Sequence, residues 1–240
     1  MATDQSYLDL LSYGDKGWGD ELVRGALVTV EVAVCAYAVG IVFGLIGAGA
    51  KLSGGRARYV AADLYTTIVR SVPELLLIIY IFYRGPAAIR GLASLLGIQA
   101  QIDIDPFVAA VAALGFIEGA YTTEVFRGAI QAVPKGQMEA ARAFGMGWWL
   151  RTKRVLLPQM LRFAIPGLGN IWLNTTKDAA LVSVVSLSEL MNAGKQAAGG
   201  TKMYFFFYGI VALCYLVITV ASQVGVAQLD RWANRGVRRA

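Results

Sequence analysis

The sequence predicts an all-α integral membrane protein with five membrane-crossing helices, and three observations predict it. Hydrophobic residues make up 57% of the 240 positions and mean hydropathy is +0.55, above the 45–50% of a soluble domain. The excess sits in runs of about 20 residues or more, enough to cross a hydrocarbon core of about 30 Å at 1.5 Å per residue. Basic residues gather between the runs. Lys51, Arg56 and Arg58, then Lys135, Arg142, Arg151, Lys153, Arg154 and Arg162, then Arg231, Arg235, Arg238 and Arg239 are 13 of the 22. Five crossings put all three clusters on one face of the membrane, and an even number puts them on both.

The elements follow in order. Residues 1–21 hold Asp4, Asp9, Asp15, Asp20 and Glu21 against Lys16, too acidic for the opening of a secretory signal, and form an outer N-terminal segment. A membrane domain is expected over 22–227. Its first run is 25–49. The second is 59–83, with Pro73 kinking it. The third is 106–127. A connecting stretch, 134–160, opens with Pro134 and Lys135–Gly136, continues through good helix formers from Glu139 to Phe144, and reaches Gly145, a common helix terminator. Trp148 and Trp149 suit a headgroup level or an interface, and Pro158 and Pro166 mark the return to the membrane. The fourth run, 163–190, is softened by Pro166, Gly167 and Gly169 and interrupted by Lys177–Asp178, so it faces protein rather than lipid. The fifth is 203–226, followed by a basic tail, 228–240. Segments 85–104 and 191–202 read as outer loops. Positive loops face the cytoplasm, so the N-terminus is outside, the C-terminus inside and the protein multi-pass.

Several functions are excluded. A net charge of +6 and a pI near 9.4 would suit nucleic acid only on a folded basic face, and these charges flank apolar runs. Without histidine there is no histidine proton relay or histidine-ligated metal. Cys35 and Cys214 lie inside apolar runs without metal or redox spacing. The phosphate-binding pattern of ATPases is absent; "GAGAKLS" at 47–53 lacks the Gly-Lys pair.

Ionisable residues inside the runs are costly, about 2.5–3.5 kcal/mol each on insertion scales, and usually face the interior. Arg70 and Glu74 stand four apart and form one candidate pair; Glu124 and Arg127, three apart, form another. Both read as structural ion pairs, and Arg70 and Glu74 also as pathway candidates. Glu118 has Gly115, Gly119 and Ala120 around it and no basic residue three or four positions away. It is a candidate for holding a solute's cationic head, or for a hydrogen bond to a neighbouring helix. Lys177 is a candidate for meeting a solute's carboxylate or an acidic residue of a partner chain, and Asp178 for meeting an amino group, with Thr175 and Thr176 adding donors. Glu31 and Asp63 read as interhelical contacts. The stretch around Glu139 fits either an amphipathic interfacial loop or a docking helix.

That stretch resembles the EAA loop of membrane subunits of ABC importers: Glu139, Ala140, Ala141, then Gly145, Val155 where isoleucine is common, Leu157 and Pro158. "TTIVRSVPELLLIIYIFY", "QIDIDPFVA", "GAYTTEVFRGAI" and "KDAALVSVVSLSEL" are similar to the polar amino acid permeases, above all the Q-type subunits for histidine/lysine/arginine/ornithine and opines, over about residues 20–235. The resemblance implies a type I importer fold in which Glu139, Ala140, Ala141, Arg142 and Gly145 couple to a separate cytosolic ATPase. It implies a place in a bacterial inner membrane with the N-terminus periplasmic and the C-terminus cytoplasmic, and no enzyme activity and no cofactor in this chain, with ATP and magnesium on the ATPase. The implied partners are a related membrane subunit or a second copy, two ATPase subunits, a periplasmic solute-binding protein and the lipid bilayer, with no nucleic acid. The Lys177–Asp178 segment would line the path, and the cargo would be polar, basic amino acids or arginine-derived opines. A proton-coupled secondary transporter using Glu118, a membrane scaffold, and a permease for another small solute are the competing readings.

Overall fold

The computed structural model describes residues 7–14, 17–95, 105–185 and 187–235, and all regular structure among them is helical. The helices are α1 (Tyr7–Leu10), α2 (Gly19–Leu52), α3 (Arg56–Ser71), α4 (Glu74–Leu95), α5 (Pro106–Ala132), α6 (Lys135–Ala143), α7 (Trp148–Arg151), α8 (Leu157–Asp178), α9 (Leu190–Thr201) and α10 (Tyr204–Ala233). A π turn, Thr152–Leu156, joins α7 to α8, and a 3-10 segment, Ala179–Val185, follows α8. Among the described residues, α2, α4, α5 and α10 are long and apolar enough to cross a membrane.

Local chemistry explains the boundaries. Pro106 opens α5, where its missing N–H costs nothing, and Asp105 caps it by accepting from the N–H groups of Phe107 (2.8 Å) and Val108 (3.3 Å). Pro158 lacks an N–H and its ring crowds the carbonyl four residues back; the wide π turn just before it accommodates both.

Two compact units divide the chain. The first contains Met1–Ala36, Leu75–Leu114 and Thr175–Thr219. Its core is built from Leu10, Leu22, Leu190, Ala197, Phe207 and Val211, all buried. The second contains Tyr37–Glu74, Gly115–Asn174 and Val220–Ala240, with a core of Ala48, Phe126, Ala129, Val133, Met160 and Ala164. Here α2 and α5 approach closely: a Cβ on Gly44 would stand 2.6 Å from the Cβ of Thr122, so only glycine fits. The Thr122 hydroxyl donates to the Gly40 carbonyl across this contact (2.7 Å).

Several boundaries differ from the sequence expectation. The second run is two helices rather than one kinked helix, because Pro73 forces Val72 into extended backbone (φ −98°, ψ 138°). Positions 85–95 continue α4; of the expected loop, 96–104 lie outside the described residues. The fourth run starts earlier, at Leu157, and Lys177–Asp178 end its α-helix instead of interrupting it. The 191–202 loop is mostly α9, whose alanine and glycine content hid it from a hydropathy reading. The tail is helical through Ala233, and 236–240 lie outside the described residues.

Candidate functional site

The second unit contains a polar trough of about 470 Å³. One wall is a single face of α3: Tyr59, Asp63, Thr66, Thr67, Arg70 and Ser71, at spacings of four, three, one, three and one, which repeat on one side of a helix. Tyr121, Glu124 and Arg127 of α5 form the opposite wall, and Lys51 comes in from the last turn of α2.

Lys51 organises the trough's floor. Its side chain is only 4% exposed, and its ammonium donates to Asp63 Oδ1 (2.8 Å), Thr66 Oγ1 (2.7 Å) and Glu124 Oε1 (2.6 Å). An ammonium has three protons, and all three are used. The second oxygen of Glu124 accepts from Arg127 through Nε (2.9 Å) and an Nη (2.7 Å). The Glu124–Arg127 pair expected from spacing is therefore present, inside a larger network, and Asp63 makes the interhelical contact expected of it. Arg70 and Glu74 behave differently. The break at Pro73 puts them on separate helices, and no carboxylate among the described residues comes within 4 Å of Arg70. Its guanidinium instead lies over the Tyr121 ring, 5.4 Å from the centroid, and Glu74 is half-buried at the start of α4. Glu118, on α5, is 3% exposed beneath Gly40 of α2, and is not part of the trough's lining.

Helix α6 is also in the second unit. Ala141 is buried, whereas Glu139, Ala140, Arg142 and Phe144 are exposed. The helix ends in a Schellman motif. Gly145 takes φ +74°, its N–H donates to the Arg142 carbonyl (2.8 Å), and the Met146 N–H donates to the Ala141 carbonyl (3.0 Å). The result is a small-residue surface with Glu139 and Arg142 at its edges. Trp148 and Trp149 follow, each 68% exposed.

In the first unit, Lys177 is exposed and Asp178 half-buried at the end of α8, after two fully buried threonines, Thr175 and Thr176. The same unit holds a group that the sequence reading passed over. Glu189 is fully buried and accepts from the N–H groups of Met191 (2.9 Å) and Asn192 (2.8 Å), capping α9. It also accepts from the hydroxyls of Tyr215 on α10 (2.8 Å) and Thr29 on α2 (3.2 Å). One carboxylate thus ties three helices together. Glu31, expected to contact a neighbour, is exposed on α2, and no hydrogen bond or ion pair reaches it among the described residues. Lys51 was missed because it read as a loop charge, and its partners are 12, 15 and 73 positions away.

Residues 40–235 match the family model described as the binding-protein-dependent transport system inner membrane component. The chain is 49% identical over 232 residues to the nopaline transport system permease protein of Agrobacterium fabrum, covering 96% of this chain and 98% of that one. It is 43% identical over 224 residues to the histidine/lysine/arginine/ornithine transport system permease protein of Salmonella typhimurium, covering 93% and 98%. Among solved structures, an amino acid ABC transporter crystallised with histidines superposes with a TM-score of 0.74 at 28% identity, over 89% of this chain and 94% of that one.

Proposed function

The chain belongs to the family of binding-protein-dependent transport system inner membrane components, and from that premise we propose that it imports basic amino acids or arginine-derived opines, driven through α6 by a separate ATPase. As an ABC importer permease it is a multi-pass transport subunit and not an enzyme, and it works with an ATPase and a solute-binding protein. The observation that carries the cargo reading is the 49% identity to a nopaline permease over nearly the whole length, next to 43% identity to a permease for histidine, lysine, arginine and ornithine.

The coupling reading rests on α6. A nine-residue helix with exposed Glu139, Ala140 and Arg142 is suited to a groove on another protein, because alanine lets backbones approach closely. Closure of two nucleotide-loaded ATPase subunits would draw two such helices together and switch the membrane part between two rigid states. ATP and magnesium would be held by the ATPase.

The topology has five crossings: α2, α3 with α4, α5, α8 and α10. Helix α8 contains Pro166, Asn170, Asn174 and Lys177, a composition for a crossing covered by protein. Only 6% of the apolar window of α4 and 11% of that of α10 are buried within the chain, leaving surface for lipid and a second, related membrane subunit. The N-terminus is periplasmic, the C-terminus cytoplasmic, and the membrane the inner one. Glu118, Lys177, Asp178, Arg70 and Glu74 are the pathway candidates on this chain.

The test is uptake by proteoliposomes holding the membrane pair and ATPase, with the binding protein outside. Labelled arginine or nopaline should accumulate only with internal ATP, and vanadate should stop it. Glu139→Lys should abolish uptake while the complex still inserts. Uptake that follows a proton gradient without ATP would refute the reading.

A further inference from the structure

Cations outnumber carboxylates in the lining of the trough in the second unit. Its lining holds three cations, Lys51, Arg70 and Arg127, and two carboxylates, Asp63 and Glu124. Both carboxylates are engaged at the floor, by Lys51 and Arg127. Arg70 is left over: exposed, without a carboxylate within 4 Å among the described residues, and held in place by the Tyr121 ring. Beside it on the same face of α3 are the hydroxyls of Thr67 and Ser71, both part of the lining. The Ser71 hydroxyl donates to the Thr67 carbonyl (2.6 Å), which turns its lone pairs outward as acceptors.

A guanidinium at membrane depth needs an anion or water, and a polar helix face there is tolerated only along a cavity or under protein. We propose that Arg70, steadied by Tyr121, is a binding station for an oxyanion, and that the occupant is the α-carboxylate of a zwitterionic, cationic solute. The planar fork of arginine matches a carboxylate in a two-pronged fashion. The rest of the trough favours a solute over a lipid phosphate. Asp63 is one face-turn-pair below Arg70, about 10 Å along the axis for seven residues, and is 46% exposed, so it keeps room for a second donor. An extended basic amino acid spans that separation, carboxylate at Arg70 and cationic end toward Asp63. An anionic headgroup carries no cation for Asp63, and in a zwitterionic one the ammonium is only two carbons from the phosphate, too short a reach for the seven-residue separation.

This inference rests on the cargo reading above, and the experiment separates the two. The membrane pair with its ATPase is placed in phosphatidylcholine nanodiscs, and binding of labelled L-arginine and of agmatine, which lacks the carboxylate, is measured without binding protein. The wild-type complex should prefer L-arginine at least tenfold. Arg70→Met should erase that preference by weakening L-arginine, with agmatine changing less than threefold, and Arg70→Lys should keep part of it. Matching elution and melting profiles establish that the variants are folded. Equal losses for both probes, or an unchanged preference, overturn the station. So does anionic lipid that copurifies with wild type and is lost in Arg70→Met while the preference stays. Failure of the wild-type proteoliposomes to take up any cationic amino acid or opine overturns the cargo reading, and the station with it.

Discussion

Gly145 is left-handed with no atom within 4 Å of where a Cβ would stand. Its substitution therefore reports backbone conformation alone, without a clash. Gly145→Ala should destabilise the end of α6 by about 1 kcal/mol, the usual penalty for an L side chain in that region. Hydrogen exchange at the Gly145 and Met146 amides, whose bonds close the motif, should quicken roughly fivefold, while exchange in α5 stays unchanged. Lys51 is the opposite case, since its side chain is all contact. Lys51→Met leaves Thr66 and part of the carboxylate pair without a donor. Removing one partner from a buried pair costs about 3–5 kcal/mol; Asp63 and Glu124 are partly exposed and Glu124 keeps Arg127, which lowers the expected loss to about 1–3 kcal/mol. Thermal unfolding of the detergent-solubilised complex should show a fall in midpoint, and an unchanged midpoint would mean the network is energetically idle. These two residues also mark what was readable in advance. The role of Gly145 is local and follows from the helix formers before it. The role of Lys51 depends on Glu124, 73 positions away, and no local pattern encodes such a distance.

Among the elements, α2 and α5 meet through glycines and threonines, Gly40, Gly44 and Gly47 facing Glu118, Thr122 and Thr123. Gly44→Val would drive methyl groups into Thr122 and displace the hydroxyl that bonds Gly40. Overpacking of this sort costs about 1–3 kcal/mol, and the variant should lose monodisperse elution or melt at lower temperature. Normal behaviour would show that the helices can part at little cost. Element type was legible wherever hydropathy dominates, as in α2, α5 and α10. It was illegible where one proline converts a bend into a break, at Val72–Pro73, and where a helix is made of alanine, glycine and polar residues, as in α9. Hydropathy measures lipid compatibility, and α9 has helix propensity without it. Glu189, which caps α9, was passed over because its hydroxyl donors sit on α2 and α10, far away in the chain.

At the scale of the molecule, charge asymmetry assigns sides, and labelling checks the assignment. In a background with Cys35 and Cys214 replaced, Tyr13→Cys should react with a membrane-impermeant maleimide in spheroplasts, and Arg231→Cys only after lysis; both positions are exposed. The reverse pattern would overturn the orientation. The fold class was visible from apolar runs alone. The trough was not, because its walls come from three helices and its charges from residues 51 to 127. The meeting of α2, α3 and α5 at Lys51 has a mechanical side. An ammonium is threefold symmetric about its terminal bond, so a twist of a third of a turn returns the same three protons to the same three oxygens. The lysine's own end can therefore turn in steps while the three helices it ties stay where they are. A guanidinium there, planar and fork-shaped, would have no such equivalent positions to turn through.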